Sequence, residues 1–122
     1  MRGTPNCDNF VVMKQYVIDE LKSEDHGEIK VYMEENYSAS DVDGIYWIPL
    51  EQDILTKIQK EHTDCQPFYF AVDLDPNLIA FEMLIRTQKR MRCSCMGYAT
   101  EKQRNWLIGL ADSIFDQLGI KI

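Results

Sequence analysis

The chain has 122 residues, 45% of them hydrophobic, and a formal net charge of −7, which suits one domain, residues 1–122, with a sizeable core. The acidic total disfavours nucleic acid and anionic membranes as partners, since both attract positively charged surfaces. No apolar run approaches the ~18 residues of a membrane span, and the N-terminus has no apolar signal region. The four cysteines are therefore expected to be reduced thiols in the cytoplasm.

The first forty residues are predicted to contain a loose tail, a helix, a strand and a loop. Residues 1–7 form the tail. A helix over residues 9–22 is predicted from an apolar face at helical spacing, namely Phe10, Met13, Val17 and Leu21. Residues 28–34 alternate between apolar and polar, which predicts a half-buried strand, and the polar residues 35–44 predict a loop.

A short aromatic strand, Ile45–Ile48, is predicted next, and Pro49 ends it. Proline also suits the first turn of a helix, so a second helix is expected over about residues 50–62. Its buried stripe would be Leu50, Ile54, Leu55 and Ile58.

Residues 67–99 are predicted to form a meander of three antiparallel strands, because apolar and polar residues alternate in each strand. The sequence DPNL at residues 75–78 is typical of the turn between the first two strands. If Asp75 pairs with Leu78, both apolar sets fall on the same side of the sheet. The pairs would be Leu74 with Ile79, Val72 with Phe81 and Phe70 with Met83.

The last helix follows the meander and has marked ends. Thr100 and Gln103 form an N-terminal capping box, and Gly119 supplies a left-handed cap after which Ile120 can contact Phe115 in a Schellman motif. The apolar stripe is Leu107, Leu110, Ala111, Ile114 and Leu118. The element order α-β-β-α-β-β-β-α predicts an α+β fold, with an antiparallel sheet of about five strands packed against three helices.

The second face of the meander is predicted to mix apolar and charged side chains. It would hold Tyr69, Ala71, Ala80, Leu84, Met96 and Tyr98 beside Glu82, Arg86, Arg90 and Arg92. In this register Tyr69, Leu84 and Arg92 form one row, and Met96 lies opposite Ala80. A solvated face would carry more charge, so either a helix or a protein partner is expected to cover it, and its composition is typical of interfaces.

Residues 86–92, RTQKRMR, place four positive charges at the second turn of a chain whose first 85 residues are strongly acidic. The charges belong to Arg86, Lys89, Arg90 and Arg92. They predict either a solvated hairpin tip that discourages edge pairing or a contact with an acidic peptide or another anion.

Cys93 and Cys95 would share one face of the third strand, and with His62 and Cys65 they make four residues of the types that bind zinc. Strand geometry, however, separates Cys65 from Cys93 by ~16 Å along the sheet and ~10 Å across it. Only a tight fold-back of residues 62–66 would close that gap. Cys93 and Cys95 are therefore expected to be core residues, with no metal and no cofactor.

A nucleophilic pair of His26 or His62 with Cys7 or Cys65 is the other reactive arrangement that the residue types allow. The acidic neighbourhood of Cys65 disfavours the thiolate such a pair needs. Motifs of P-loop, dinucleotide-binding, zinc-protease and α/β-hydrolase enzymes are missing. An enzymatic function is therefore not the favoured interpretation.

Two functions fit these features. The first is a non-enzymatic protein-binding or adaptor domain that forms a homodimer through the mixed sheet face and uses the basic hairpin for an acidic partner. The second is an anion-binding or small-molecule-binding domain, or an enzyme, with a pocket near Arg86, Arg90 and Arg92. In size, acidic charge and rough element order, the chain resembles the dimeric chaperones of bacterial type III secretion. That resemblance implies a dimer and assigns no site residue.

Overall fold

Six strands and three α-helices occupy the part of the chain that the computed structural model describes, residues 14–39, 43–87 and 95–121. In chain order they are β1 (Gln15–Ile18), α1 (Ser23–Asn36), β2 (Ser38–Ala39), β3 (Ile45–Pro49), α2 (Lys57–Glu61), β4 (Phe68–Asp75), β5 (Leu78–Thr87), β6 (Gly97–Tyr98) and α3 (Glu101–Leu118). Short 3-10 turns at Gln52–Ile54 and Thr63–Cys65 lie on either side of α2.

The strands form one antiparallel sheet in the order β1-β5-β4-β3-β2, and β6 also pairs with β5. One side of the sheet is apolar and packs against the buried residues of α1 and α3, in a core that includes Ile29, Met33, Phe81, Leu107 and Phe115. The predicted α+β class, with its antiparallel sheet and three helices, is confirmed.

The β4–β5 hairpin follows the predicted register near its turn and departs from it further away. Asp75 pairs with Leu78, Leu74 with Ile79 and Val72 with Phe81, as expected. Beyond an irregularity between Phe70 and Val72, Phe70 pairs with Ile85, so the predicted pair of Phe70 with Met83 is wrong. Phe70 and Ile85 are both buried on the core side of the sheet. Side chains therefore still alternate between the two sides of the sheet beyond the irregularity.

Along one edge of β5, the residues before Met83 pair with β1 and the residues after it pair with β6. The backbone N–H of Met83 donates to the carbonyl of Lys14, at the start of β1, over 2.9 Å. The carbonyl of Met83 accepts from the N–H of Ala99, just after β6, over 2.8 Å. One long strand therefore pairs with two short ones along the same edge, and the irregularity in β5 falls at that position.

The two elements predicted before residue 37 are exchanged in the structure. β1 lies within the predicted helix 9–22, of which residues 9–13 fall outside the described part, and α1 replaces the strand predicted at 28–34. Ile29 and Met33 are fully buried, whereas Val31 between them is 54% exposed. The apolar residues of this segment therefore follow the four-residue spacing of a helix and not the two-residue spacing of a strand. The predicted loop at 35–44 is shortened, since α1 reaches Asn36 and β2 pairs with β3.

In β1 the neighbouring apolar residues point to opposite sides of the sheet. Ile18 is buried and Val17 is 44% exposed. Tyr16 lies on the core side, with its ring centroid 6.1 Å from that of Phe81, and its hydroxyl donates to Asp112 of α3 over 3.0 Å. The helical spacing that the sequence shows here is thus overridden by pairing with the edge of β5.

The second predicted helix, 50–62, is reduced to the five residues of α2. Thr56 and Gln59 form a capping box that starts this helix late. Leu50, Ile54 and Leu55 are buried as predicted, but Ile58 is 48% exposed. The strand at Ile45–Ile48 is confirmed, with Pro49 as its last residue.

The last helix, α3, is confirmed with both of its predicted ends. Thr100 and Gln103 form the capping box, and Gly119 is left-handed with φ of 70°. The Schellman pair of hydrogen bonds is present, from Gly119 N–H to Asp116 and from Ile120 N–H to Phe115. The third meander strand is confirmed only as β6, because residues 88–94 lie outside the described part. Among the described helices, none has the length and apolar character needed to cross a membrane.

Candidate functional site

The side of the sheet opposite the core carries a row of side chains across four strands. The register places Ile45 of β3, Asp73 of β4, Ala80 of β5 and Val17 of β1 side by side. Trp47 lies opposite Ala71, Tyr69 opposite Arg86, and Leu84 opposite Tyr98. We call this surface the mixed face; its members are Val17, Ile45, Trp47, Tyr69, Ala71, Asp73, Ala80, Glu82, Leu84, Arg86 and Tyr98.

The mixed face carries mostly apolar side chains and is partly exposed, although Ala71 and Ala80 are buried. Val17 is 44% exposed and Tyr98 45% exposed, while Trp47, Tyr69 and Leu84 are half-buried. Trp47 and Tyr69 meet edge to face, with ring centroids 6.0 Å apart. The core on the other side of the sheet takes most of the buried apolar residues of the described helices, namely Ile29, Met33, Leu107, Ala111 and Phe115. Within the described ranges, the mixed face thus has no helix of its own, and an apolar surface of this kind is typical of a contact site.

The structure brings together seven of the residues predicted for this face and removes one; Ala71, Ala80 and Glu82 are three of the seven. Tyr69, Leu84, Arg86 and Tyr98 lie on it. Met96 packs against the core instead, and the neighbours of Ala80 are Asp73 and Val17, so the predicted pair of Met96 with Ala80 is wrong. The predicted row through Tyr69 and Leu84 is also wrong, because Tyr69 faces Arg86. Lys89, Arg90 and Arg92 lie outside the described residues.

Charges of both signs lie on the mixed face. Arg86 donates from Nη2 to Glu82 Oε1 over 3.0 Å, and its Nε is buried without a hydrogen-bond partner. At the other end of the face, burial raises the pKa of Asp73, and repulsion by Asp75 and Glu82 adds to the effect. Arg86 thus keeps one buried nitrogen without a partner, and the carboxyl of Asp73 lies in acidic surroundings.

Sequence analysis missed three apolar members of this face. Ile45 and Trp47 belong to a strand that was predicted, and their alternation with the buried Tyr46 and Ile48 was the available signal. Val17 was assigned to a helix, and no local signal placed it beside Ala80. The face is consequently wider than the meander alone predicts, since it extends over β3 and β1.

A second cluster of reactive side chains lies away from the mixed face and consists of His62, Cys65 and Cys95. One imidazole nitrogen and the two Sγ atoms all lie within 4.8 Å of one another. Cys65 is 2% exposed and Cys95 4% exposed, while His62 is half-buried. The burial expected for Cys95 is confirmed. Cys65 lies close to Cys95, while the separation expected between Cys65 and Cys93 is untested because Cys93 lies outside the described residues.

The tight fold-back that brings these residues together is the 3-10 turn Thr63–Cys65. His62 directly precedes this turn and Cys65 is its last residue, and their donor atoms lie within 4.8 Å of each other. The N–H of Cys65 donates to the carbonyl of His62 over 3.0 Å and closes the turn. Thr87, a buried residue at the end of β5, donates its hydroxyl to the carbonyl of Cys65.

A buried pair of glutamines holds the other side of the cluster. Gln59 Nε2 donates to the carbonyl of Cys95 over 3.3 Å. Gln103 Nε2 donates to Gln59 Oε1 and to the carbonyl of Ile54, each over 2.9 Å. Both glutamines are also the third residues of capping boxes, in α2 and α3. The position of Cys95 is thus coupled to the start of two helices.

An open groove lies beside α1, on a third part of the surface. Its apolar residues are Val31, Tyr32 and Leu118, it encloses about 460 Å³, and three carboxylates line it, those of Glu24, Glu28 and Glu35. The groove is thus acidic, opposite in sign to the predicted basic hairpin. It was missed because residues 28–34 were predicted as a strand.

Comparisons with known proteins provide no family or relative for this chain. No protein-family model, no curated protein and no solved structure matches it.

Proposed function

We propose that the protein is a non-enzymatic protein-binding domain that forms a homodimer through the mixed face. The observation that carries the proposal is the half-exposed aromatic and aliphatic surface formed by Trp47, Tyr69, Leu84, Tyr98 and Val17. A surface that combines tyrosine, tryptophan and arginine around small residues has the composition of an interface core. Since free thiols persist in a reducing compartment, the cytoplasm is the proposed location.

A second copy of the chain is the favoured occupant because the mixed face is self-complementary in charge. Arg86 lies at one end of the face, and Asp73 lies at the other end, across from Ala80. A two-fold axis between two copies, running across the strands near Ala71, would set Arg86 of each copy over Ala80 and beside Asp73 of the other. An isologous contact would then repeat this charge pair twice, and the small side chains of Ala71 and Ala80 would let the sheets approach closely.

Light scattering after gel filtration tests the proposal. The expected mass is about 29 kDa, twice the 14.3 kDa of the chain. Leu84→Glu should give the monomer, because it would bury an unpaired charge in the contact. Val31→Glu is the matched control: Val31 is an exposed apolar residue on α1, away from the mixed face, and its replacement should leave the dimer intact.

A charge exchange tests the orientation of the two copies. Arg86→Asp and Asp73→Arg should each weaken the dimer, and the double variant should recover part of the lost affinity because the pair is restored with its signs reversed. A monomer at high micromolar concentration would contradict the homodimer, and a dimer lost in Val31→Glu but kept in Leu84→Glu would move the contact to the groove beside α1.

Anion binding at Arg86 is the second candidate function. The observation in its favour is that the Arg86 side chain is 37% exposed, so a carboxylate or phosphate could pair with the solvent-facing part of the guanidinium. Arg90 and Arg92, the other residues predicted for this pocket, lie outside the described ranges. Titration with an acidic peptide, compared between the unmodified chain and Arg86→Gln, tests this candidate: an affinity unchanged by the substitution would contradict it.

A further inference from the structure

We propose that His62, Cys65 and Cys95 bind one zinc ion. Two thiols and an imidazole are the donors that zinc prefers in proteins, and Cys2His sets occur among its protein sites. Three such residues from two distant parts of the chain converge here, with one donor atom of each within 4.8 Å of the others. Nothing in the proposed dimer contact requires this convergence, so the inference is independent of the proposed function.

The spacing of the donors is close to that of a zinc tetrahedron. With bonds of ~2.3 Å to sulfur and ~2.0 Å to nitrogen, tetrahedral ligands lie ~3.5–3.8 Å from one another. The three donor atoms are at most 4.8 Å apart, so contraction by about 1 Å suffices to reach that geometry. Rotation of side chains can supply a movement of this size without a change of fold.

The backbone around the three donors is held by buried hydrogen bonds. The carbonyl of Cys65 accepts from Thr87, and the carbonyl of Cys95 accepts from Gln59. Gln59 is itself held by Gln103. Partners behind the ligands fix their orientation and lower the cost of ordering them on metal binding.

The charge balance of the cluster also favours a divalent cation. Two thiolates and a neutral imidazole carry −2, which one Zn²⁺ neutralises, and binding releases the two thiol protons. A neutral centre suits this location, because both cysteines are almost completely buried and an uncompensated charge there would be costly. Magnesium and calcium are disfavoured, since they require oxygen ligands.

Metal binding is also favoured over the other two reactions of such a cluster, which are nucleophilic catalysis and disulfide formation. A nucleophilic cysteine must reach its substrate, but Cys65 and Cys95 are 2% and 4% exposed. The half-buried His62 is the most accessible of the three and marks the side from which an ion can enter. A disulfide between Cys65 and Cys95 would need an oxidant and is a separate outcome of the test.

Zinc content of the purified full-length chain tests the proposal. After expression with added zinc and gel filtration without chelator, elemental analysis should give about one zinc per chain, and His62→Ala, Cys65→Ser and Cys95→Ser should each lower it at least tenfold. The chain offers a matched control, because it has two histidines: His26→Ala should keep the zinc.

Measurements on the unmodified chain keep the test decisive if a variant fails to fold. Removal of zinc with a chelator should lower the melting temperature, and zinc restored at 100-fold excess over its dissociation constant should raise it by roughly 10 °C. Cobalt in place of zinc should give a thiolate charge-transfer band that persists in His26→Ala.

Three results would overturn the proposal. One is a chain that holds less than a tenth of an equivalent of zinc, a limit roughly tenfold below the stoichiometry of a structural site. The second is equal loss of zinc in His26→Ala and His62→Ala. The third is a non-reduced peptide map that shows a disulfide between Cys65 and Cys95 in the freshly purified chain.

Discussion

We expect substitutions of Gln59 and Gln103 to lower stability in a coupled way, because the two buried side-chain amides are hydrogen-bonded to each other. Gln103 is 1% exposed, and its amide connects three groups: the carbonyl of Ile54, Oε1 of Gln59 and the N–H of Thr100. Gln103→Leu keeps a side chain of similar volume but removes all three hydrogen bonds. Oε1 of Gln59 still accepts from the N–H of Thr56, so the principal losses are at Ile54 and Thr100.

The cost of Gln103→Leu can be estimated from those two groups. A buried polar group left without its partner costs about 1–3 kcal/mol, and loss of the reciprocal bond in a capping box adds up to about 1 kcal/mol. We therefore expect Gln103→Leu to reduce the free energy of unfolding by about 3 kcal/mol. Gln59→Leu should cost a similar amount, because it leaves the carbonyl of Cys95 and the N–H of Thr56 without their amide partner.

Equilibrium urea unfolding of the two single variants and the double variant measures the coupling. Since each single variant also destroys the bond between the two amides, the double variant should cost about 1–2 kcal/mol less than the sum of the singles. Gln117→Leu, an exposed glutamine on the same helix, is the matched control and should change stability by less than about 0.5 kcal/mol. Additivity of the two single variants, or a cost for Gln103→Leu no larger than that of the control, would refute the reasoning.

Two further predictions concern the core and the mixed face. Phe81→Ala should lower the free energy of unfolding by about 3–5 kcal/mol, because Phe81 is fully buried and its strand, β5, lies between β1 and β4. A change in melting temperature no larger than that of the exposed control Lys60→Ala would contradict the assignment of Phe81 to the core. The pKa of Asp73 is raised in the folded state, so the folded protein keeps the proton of this carboxyl to a higher pH than the unfolded protein does. The stability that this proton contributes is therefore lost as the pH rises from the unfolded pKa of Asp73 through its folded pKa. In the monomeric Leu84→Glu background, where no second copy's Arg86 lies beside Asp73, Asp73→Asn should consequently raise the melting temperature more at pH 7 than at pH 3.5; equal differences at both pH values would count against the raised pKa.

Local signals in the sequence determined the C-terminal half of the fold. The turn at residues 75–78, the alternation in β4 and β5, and both ends of α3 each depend on residues within a few positions of one another. Turn geometry and helix caps are set by such short-range contacts, and they could therefore be predicted. The α+β class followed from the same elements.

The segment before residue 37 could not be assigned in this way, because its apolar residues fit two periods. Ile29, Val31 and Met33 alternate like a strand, while Ile29 and Met33 alone have helical spacing. Only packing decided between them, by burying two of the three residues and leaving Val31 exposed. Likewise, β1 forms because the edge of β5 offers backbone partners, which no local pattern shows.

Of the two candidate sites, part of the mixed face could be predicted from the sequence, whereas the cluster of His62, Cys65 and Cys95 could not. Alternation within the strands placed Tyr69, Leu84, Arg86 and Tyr98 on one face, since side-chain direction in a strand is a local property. The approach of Cys65 and His62 to Cys95 was decided only by the tertiary structure: a 3-10 turn reverses the chain after α2, and the Gln59–Gln103 pair fixes Cys95 against it. Contacts between residues some thirty positions apart depend on where a loop turns back, and the periodicity of the strands themselves does not encode that position.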